Sequence, residues 1–229
     1  MFSVLDMFTI GVGPSSSHTV GPMCAAQAFA SSLEESGAVS RVGRIRVVLY
    51  GSLSLTGLGH GTDRAILAGL EGNVPATVDT DYLLSVRERC AHDGTIHVNG
   101  TNAIAYDDDG DMVFDRWKRL APHPNGMRFQ AFDAQGNIID EQVWYSIGGG
   151  FIRRGRIDDA LISNHEQTPA SSQSPEDSGN DEAAEYGDGV PYPFVSCDGL
   201  IDLCRKHHLS IADVVWANET ARRSPQEVR

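Results

Sequence analysis

Apolar residues recur along this chain in two rhythms, one helical and one extended. Met23, Ala26, Phe29, Ala30 and Leu33 fall at i, i+3, i+4 spacing, which predicts a helix over Met23–Glu35 with Gly37 as its stop. Ile45, Val47 and Leu49 then alternate with Arg44, Arg46 and Val48, so Arg44–Tyr50 reads as a half-buried strand. The rhythm lapses at Gly51–Gly61, which is glycine-rich and reads as a loop, before a helix opened by Thr62 or Asp63 and running through Leu70. Asp79 and Thr80 are suited to cap a further helix, Tyr82–Cys90. From Thr95 to Ile152 the texture changes to short strands: Ile96–Val98, Ala103–Tyr106, Met112–Phe114, Met127–Phe132 and Ile138–Ile147. Turns at Asp107–Asp111 and Ala134–Asn137 separate them, and the Gly-Asn of the second suits a hairpin. Met1–Phe8 alternates around Val4, Leu5 and Phe8 and fits either a short helix or an edge segment. The fold class that follows is α+β, with helices packed on a mainly antiparallel sheet.

Residues 157–190 are different in kind. Serine, proline, glutamate, aspartate and glycine dominate, with almost no large apolar residue after Ile162, and the stretch reads as an acidic flexible linker. Pro191-Tyr192-Pro193-Phe194 anchors the chain again. Asp198–His207 is amphipathic through Leu200, Ile201, Leu203 and Cys204, and Ser210 caps a second helix over Ile211–Arg222. Two short helices cannot close a core of their own. The domain division is therefore 1–156, a linker, and 191–229.

Composition narrows the function classes. With 229 residues and 41% hydrophobic content the chain can bury a real core. A formal net charge of −13 leaves no basic stripe to neutralise phosphates, which argues against nucleic acid and anionic membranes. No apolar run reaches bilayer-spanning length and the N-terminus lacks a signal-peptide pattern, so a cytoplasmic location is expected. Cys24, Cys90, Cys197 and Cys204 are scattered without a metal-ligand signature and read as reduced thiols, so no metal site is expected within the chain.

Chemistry concentrates in three motifs. Gly11-Val12-Gly13-Pro14-Ser15-Ser16-Ser17-His18-Thr19 places hydroxyls and an imidazole at a helix start, where free N–H groups can hold a small anion such as a carboxylate. An over-capped helix is the plainer reading. Gly57-Leu58-Gly59-His60-Gly61-Thr62-Asp63 puts His60 on a sparsely shielded loop, where an imidazole can act as general acid or base or simply be solvated. Pro122-His123-Pro124-Asn125-Gly126 is either a rigid turn or a source of donors and acceptors for an amino-acid head group. Gly148-Gly149-Gly150 lacks the Gly-Lys-Ser/Thr ending of a phosphate loop and reads as a close-packing turn. Ser16, His60 and Asp63 could be imagined as a hydrolase triad, but no Gly-x-Ser-x-Gly elbow is present. Asp107 and Asp109 read as solvated turn residues.

Four stretches in order, Met1–Gly21, Tyr50–Ala65, His123–Phe129 and Tyr145–Ile152, together resemble the N-terminal β domain of the bacterial iron–sulfur L-serine dehydratases. The resemblance implies an allosteric substrate-binding domain, related to one in some phosphoglycerate dehydrogenases. On matching positions it implies a regulatory L-serine site at His18, His123 and Asn125, with Ser15, Ser16, Ser17 and Thr19 as lesser members. It implies that the loop bearing His60 reaches into the active site as a catalytic acid or base. It also implies a homodimer. By resemblance the helices of 191–229 are the start of a truncated catalytic α domain, and the rest of that domain, whose cysteines hold a 4Fe–4S cluster, is missing from these residues. The chain is accordingly expected to look truncated and to be inactive by itself, with the cluster ligands lying elsewhere. The alternative is a stand-alone regulatory module for a small carboxylate with no catalytic partner.

Overall fold

In a computed structural model of the chain, residues 10–164, 189–194 and 196–228 are described. The chain divides into two units, the larger spanning Thr9–Gln167. Its centre is β1 (Arg44–Tyr50), which pairs antiparallel with β6 (Gly126–Phe132) on one side and parallel with β3 (Asn102–Ala105) and β4 (Met112–Asp115) on the other. β2 (Thr95–Val98) extends one edge beside β3, and β7 (Ile138–Gly148) and β8 (Phe151–Arg154) extend the other. All the remaining pairings in this sheet are antiparallel, as expected. β5 (Lys118–Leu120) and β9 (Leu161–Ser163) form a separate two-stranded sheet.

Strand alternation sends one set of side chains towards the helices. Val47, Leu49, Met127, Phe129 and Ala131 are buried there against Phe29 and Leu33 of α1 (Gly21–Glu35) and Ile66, Leu67 and Leu70 of α3 (Thr62–Leu70). The Phe29 and Phe129 rings stack with centroids 5.2 Å apart. The opposite face carries a smaller cluster of Val48, Tyr50, Leu120, Val143 and Tyr145. α4 (Thr80–Asp93), capped by Asp79, buries Leu83, Val86 and Cys90.

Two expectations are corrected. Gly51–Gly61 is not an open loop: it folds into the short helix α2 (Gly51–Thr56) and a 3₁₀ turn, Gly57–His60. The glycine content hid an anchor, because Leu53 is fully buried and the Ser54 hydroxyl donates to the Gly51 carbonyl. The acidic turn at Asp107–Asp111 contains a helical turn, α5 (Asp108–Asp111), formed around a buried Asp111 that accepts from Arg44 and from the Asp107 N–H. Asp107 and Asp109 are exposed. Gly148-Gly149-Gly150 links β7 to β8 with positive φ throughout. A Cβ on Gly148 would meet nothing, so there the backbone angle rather than close packing calls for glycine.

Past residue 156, β9 pairs with β5 and the Asn164 N–H donates to the Trp117 carbonyl. The rest of the acidic stretch, like Met1–Phe8, lies outside the described residues. In the second unit, α6 (Cys197–His207) is capped by Ser196. Ser210 and Asp213 form a capping box for α7 (Ile211–Thr220).

Charged side chains lock α3 and α4 together. Glu71, just past α3, accepts from Tyr82 and Arg89 of α4 and from the His97 N–H of β2 at 2.9 Å. Burial alone would raise its pKa, but the hydrogen bonds from Arg89, Tyr82 and His97 outweigh it and hold the carboxyl below its ordinary 4.5. Ionised Glu71 therefore stabilises the fold above pH 4.5, and that contribution is lost as pH falls through the lowered value. Glu71→Gln is expected to cost about 1–3 kcal/mol at neutral pH. Urea unfolding checks it, and the gap to wild type should narrow as pH drops below 4.5.

Candidate active-site face

Ser15 ends an extended stretch, and its hydroxyl accepts from the His18 N–H at 3.2 Å, capping the turn that begins α1. That turn, Ser16–Val20, is a single π-helical turn, with both Thr19 and Val20 N–H groups directed at the Ser15 carbonyl. Single π-helical turns are rare and recur at functional sites. Here the turn carries the His18 ring between two hydroxyls, Ser17 at 2.9 Å from Nδ1 and Ser52 at 3.0 Å from Nε2.

Ser52 comes from α2. Gly51 has a φ of +56°, and a Cβ there would stand 2.3 Å from the Pro124 carbonyl, so only glycine brings α2 this close to the Pro122–Gly126 loop. The Ser52 N–H donates to that carbonyl at 2.9 Å. Thus His18, α2 and the third motif meet at Ser52.

His60 closes the 3₁₀ turn, and its ring centroid lies 5.1 Å from that of His18. Its Nδ1 is 2.9 Å from the Thr56 carbonyl. A carbonyl only accepts, so the proton sits on Nδ1 and the neutral ring offers its Nε2 lone pair. Thr19 is buried, and its hydroxyl donates to the His60 carbonyl at 2.8 Å. It therefore fastens the site rather than lining it. Ser16 is exposed and its carbonyl accepts from the Gly21 N–H.

Asn125 and His123 point to opposite sides of the sheet. Asn125 exchanges backbone and side-chain hydrogen bonds with Ser146, which packs on the helix side against Gly21. His123 packs by Tyr145 on the other face, ring centroids 6.1 Å apart. Its Nδ1 accepts from the Asn125 N–H at 3.1 Å, which leaves Nε2 as a donor. The predicted residues therefore arrange themselves differently from two separate sites. Ser15, Ser17, His18 and Thr19 gather around His60, Asn125 sits behind them, and His123 stands apart.

Ser52 and Ser146 carried no role in the sequence reading, and Thr62 only that of opening a helix. Ser52 lies inside a recognisable motif, but nothing in its spacing shows that it would meet a histidine from another segment. The Ser146 hydroxyl is fully buried without a partner among the described residues.

The cysteines offer no cluster site. Cys24 and Cys90 are held as thiols by burial, Cys90 pushed up to about 11, and Cys197 and Cys204 belong to the second unit. Among the described residues no three His, Cys, Asp or Glu side chains gather as metal ligands. These residues do not fit an iron–sulfur cluster. No helix among them is long and apolar enough to cross a membrane.

Burial, and then the charge of His60, lowers the His18 pKa below 6.5. The unfolded chain thus binds more protons than the folded one just below pH 6.5, and stability held by neutral His18 falls as pH drops through that window. In an NMR titration His18 should show a midpoint below 6.5, and His60→Asn should raise it part of the way back, since burial remains.

Comparison with known proteins gives this face its context. Residues 3–156 match the family model described as serine dehydratase beta chain. The chain is 40% identical over 227 residues to L-serine dehydratase of Streptomyces coelicolor, covering 99% of this chain and 46% of that protein. It is 39% identical to L-serine dehydratase 1 of Escherichia coli, covering 100% of this chain and 45% of the relative. The Helicobacter pylori L-serine dehydratase is 35% identical, with 96% and 43% covered. The chain spans less than half the length of these relatives. The family match, which takes in every element from α1 through β8, shows that this chain belongs to the serine dehydratase β-chain family.

Proposed function

We propose that this chain is the β-domain portion of an iron–sulfur L-serine dehydratase, which binds L-serine at a regulatory site and presents His60 to an active site completed by a catalytic domain outside these residues. The carrying observation is the 5.1 Å contact between His18 and His60, with the His60 proton fixed by the Thr56 carbonyl. The shares of 43–46% of the relatives' lengths leave room for such a domain. Cluster ligands would have to come from it, because the cysteines here do not converge.

Conversion of L-serine to pyruvate and ammonia begins with loss of water, which requires removal of the α-proton; the resulting enamine, as its imine tautomer, takes a water back as it releases ammonia. An imidazole with an open Nε2 and an oriented Nδ1–H suits that deprotonation. The Ser15, Ser17 and Ser52 hydroxyls around the His18 ring are the donors available to a serine carboxylate, while His123 stands on the other face. Because His18 touches His60, occupancy of a site that includes His18 would be felt at the proposed base. Alone, the chain would form no pyruvate.

Calorimetric titration with L-serine, D-serine serving as control, tests the binding half. Saturable L-serine heat lost in His18→Ala is expected; no heat from a folded chain would remove the sensor reading. The catalytic half is tested by His60→Ala in the enzyme completed with its cysteine-bearing domain. There kcat should fall by about 10²–10⁴-fold, the usual worth of a positioned base.

A further inference from the structure

The two histidine segments are joined by reciprocal hydrogen bonds. Thr19 donates to the carbonyl of His60, and Thr62 donates to the carbonyl of His18. Each threonine holds the histidine of the other segment, across 41 and 44 positions of sequence. Both are buried, at 2% and 0% exposure, so neither hydroxyl has water as an alternative partner.

Each threonine is also seated on a glycine. A Cβ at Gly13 would lie 2.5 Å from the Thr19 Cγ2, and Gly13 has a φ of +77° that side chains rarely adopt. A Cβ at Gly57 would lie 2.9 Å from the Thr62 Oγ1. The glycines of two motifs thus clear the space in which the threonines of the same motifs turn towards each other. β-Branching leaves each threonine few rotamers, so little freedom remains once the seat is filled.

We infer that Thr19 and Thr62 are positioning residues: a reciprocal latch that holds His18 and His60 as one two-imidazole unit and keeps the His60 ring seated on the Thr56 carbonyl that fixes its proton. The inference rests on the functional reading above only for its consequence in serine binding. The latch itself concerns geometry that the chain shows without ligand.

The experiment uses the full 229-residue chain and its Thr19→Val, Thr62→Val, Thr19→Ser and Thr62→Ser variants. Long-range ¹H–¹⁵N spectra of the histidine rings report which nitrogen carries the proton, and a pH series reports whether the two rings titrate as a coupled pair. In wild type, His60 should carry its proton on Nδ1 and the His18 midpoint should respond to His60. Either valine variant should lose the Nδ1 preference and the coupling, and the serine variants should restore both. Should a valine variant fail to fold, Gly57→Ala displaces the Thr62 hydroxyl while leaving it on the chain, and the same loss is expected. Folded valine variants with wild-type ring spectra and coupling would overturn the latch. L-serine titration of the same set separates the two claims. Wild-type binding weakened at least tenfold by valine and restored by serine supports the latch acting on the ligand site. An absence of wild-type binding, with the spectral changes intact, would remove the sensor reading and leave the latch standing.

Discussion

Two buried threonine hydroxyls join segments of this chain that no strand pairing connects. Thr19 and Thr62 each satisfy a carbonyl of the opposite histidine segment, and the turn at Ser16–Val20 and the 3₁₀ turn at Gly57–His60 owe their mutual placement to those bonds. A buried carbonyl left without a donor is costly, so the arrangement resists sliding. Around it the other contacts fall into order: His18 between Ser17 and Ser52, Ser52 against Pro124, and His60 on the Thr56 carbonyl. Imidazoles that would be solvated on free loops become parts of one surface.

The support behind that surface is electrostatic as well as apolar. Asp63, three residues beyond His60, is bound by Arg87 of α4, which also binds Asp108 at 2.8 Å; Asp108 in turn accepts from Tyr106. The Arg87 guanidinium and the Tyr106 hydroxyl hold the Asp108 carboxyl below its ordinary range despite some burial. An acidic chain thus spends part of its scarce positive charge inside, fixing the helix that follows the proposed base. The helix face of the sheet supplies the rigid floor, with Phe29 and Phe129 stacked beneath α1.

Much of this was legible in the sequence. The spacing of Met23, Phe29 and Leu33 marked α1, and the alternation of Ile45, Val47 and Leu49 marked β1, because both elements bury one face of a long-enough repeat. The α2 helix was not legible, since its signal is a single buried Leu53 inside glycine-rich sequence. β5 and β8 were missed because Lys118-Arg119 and Arg153-Arg154 break any alternation in so short a run, and β9 because it falls inside the stretch read as linker. At the site, the residue types were visible but their grouping was not. His18 and His123 read as partners, whereas strand alternation and the bend at Gly51 place His18 by His60 and His123 by Tyr145. Thr19 looked like a ligand contact because threonines cap helices, and only the fold shows its hydroxyl committed to a carbonyl.

On this reading the Ser15–Thr19 turn and the Ser52–His60 segment make one surface for a small amino acid, with Pro124 and Asn125 behind it and His123 on the far face. Chemical-shift mapping of the ¹⁵N-labelled chain on addition of L-serine tests it most directly. The account predicts stereospecific, saturable shifts concentrated at Ser15–Thr19, Ser52–His60 and Pro124–Asn125, with the remainder of the sheet undisturbed. Shifts clustered elsewhere in a folded chain, or identical shifts with D-serine, would contradict it.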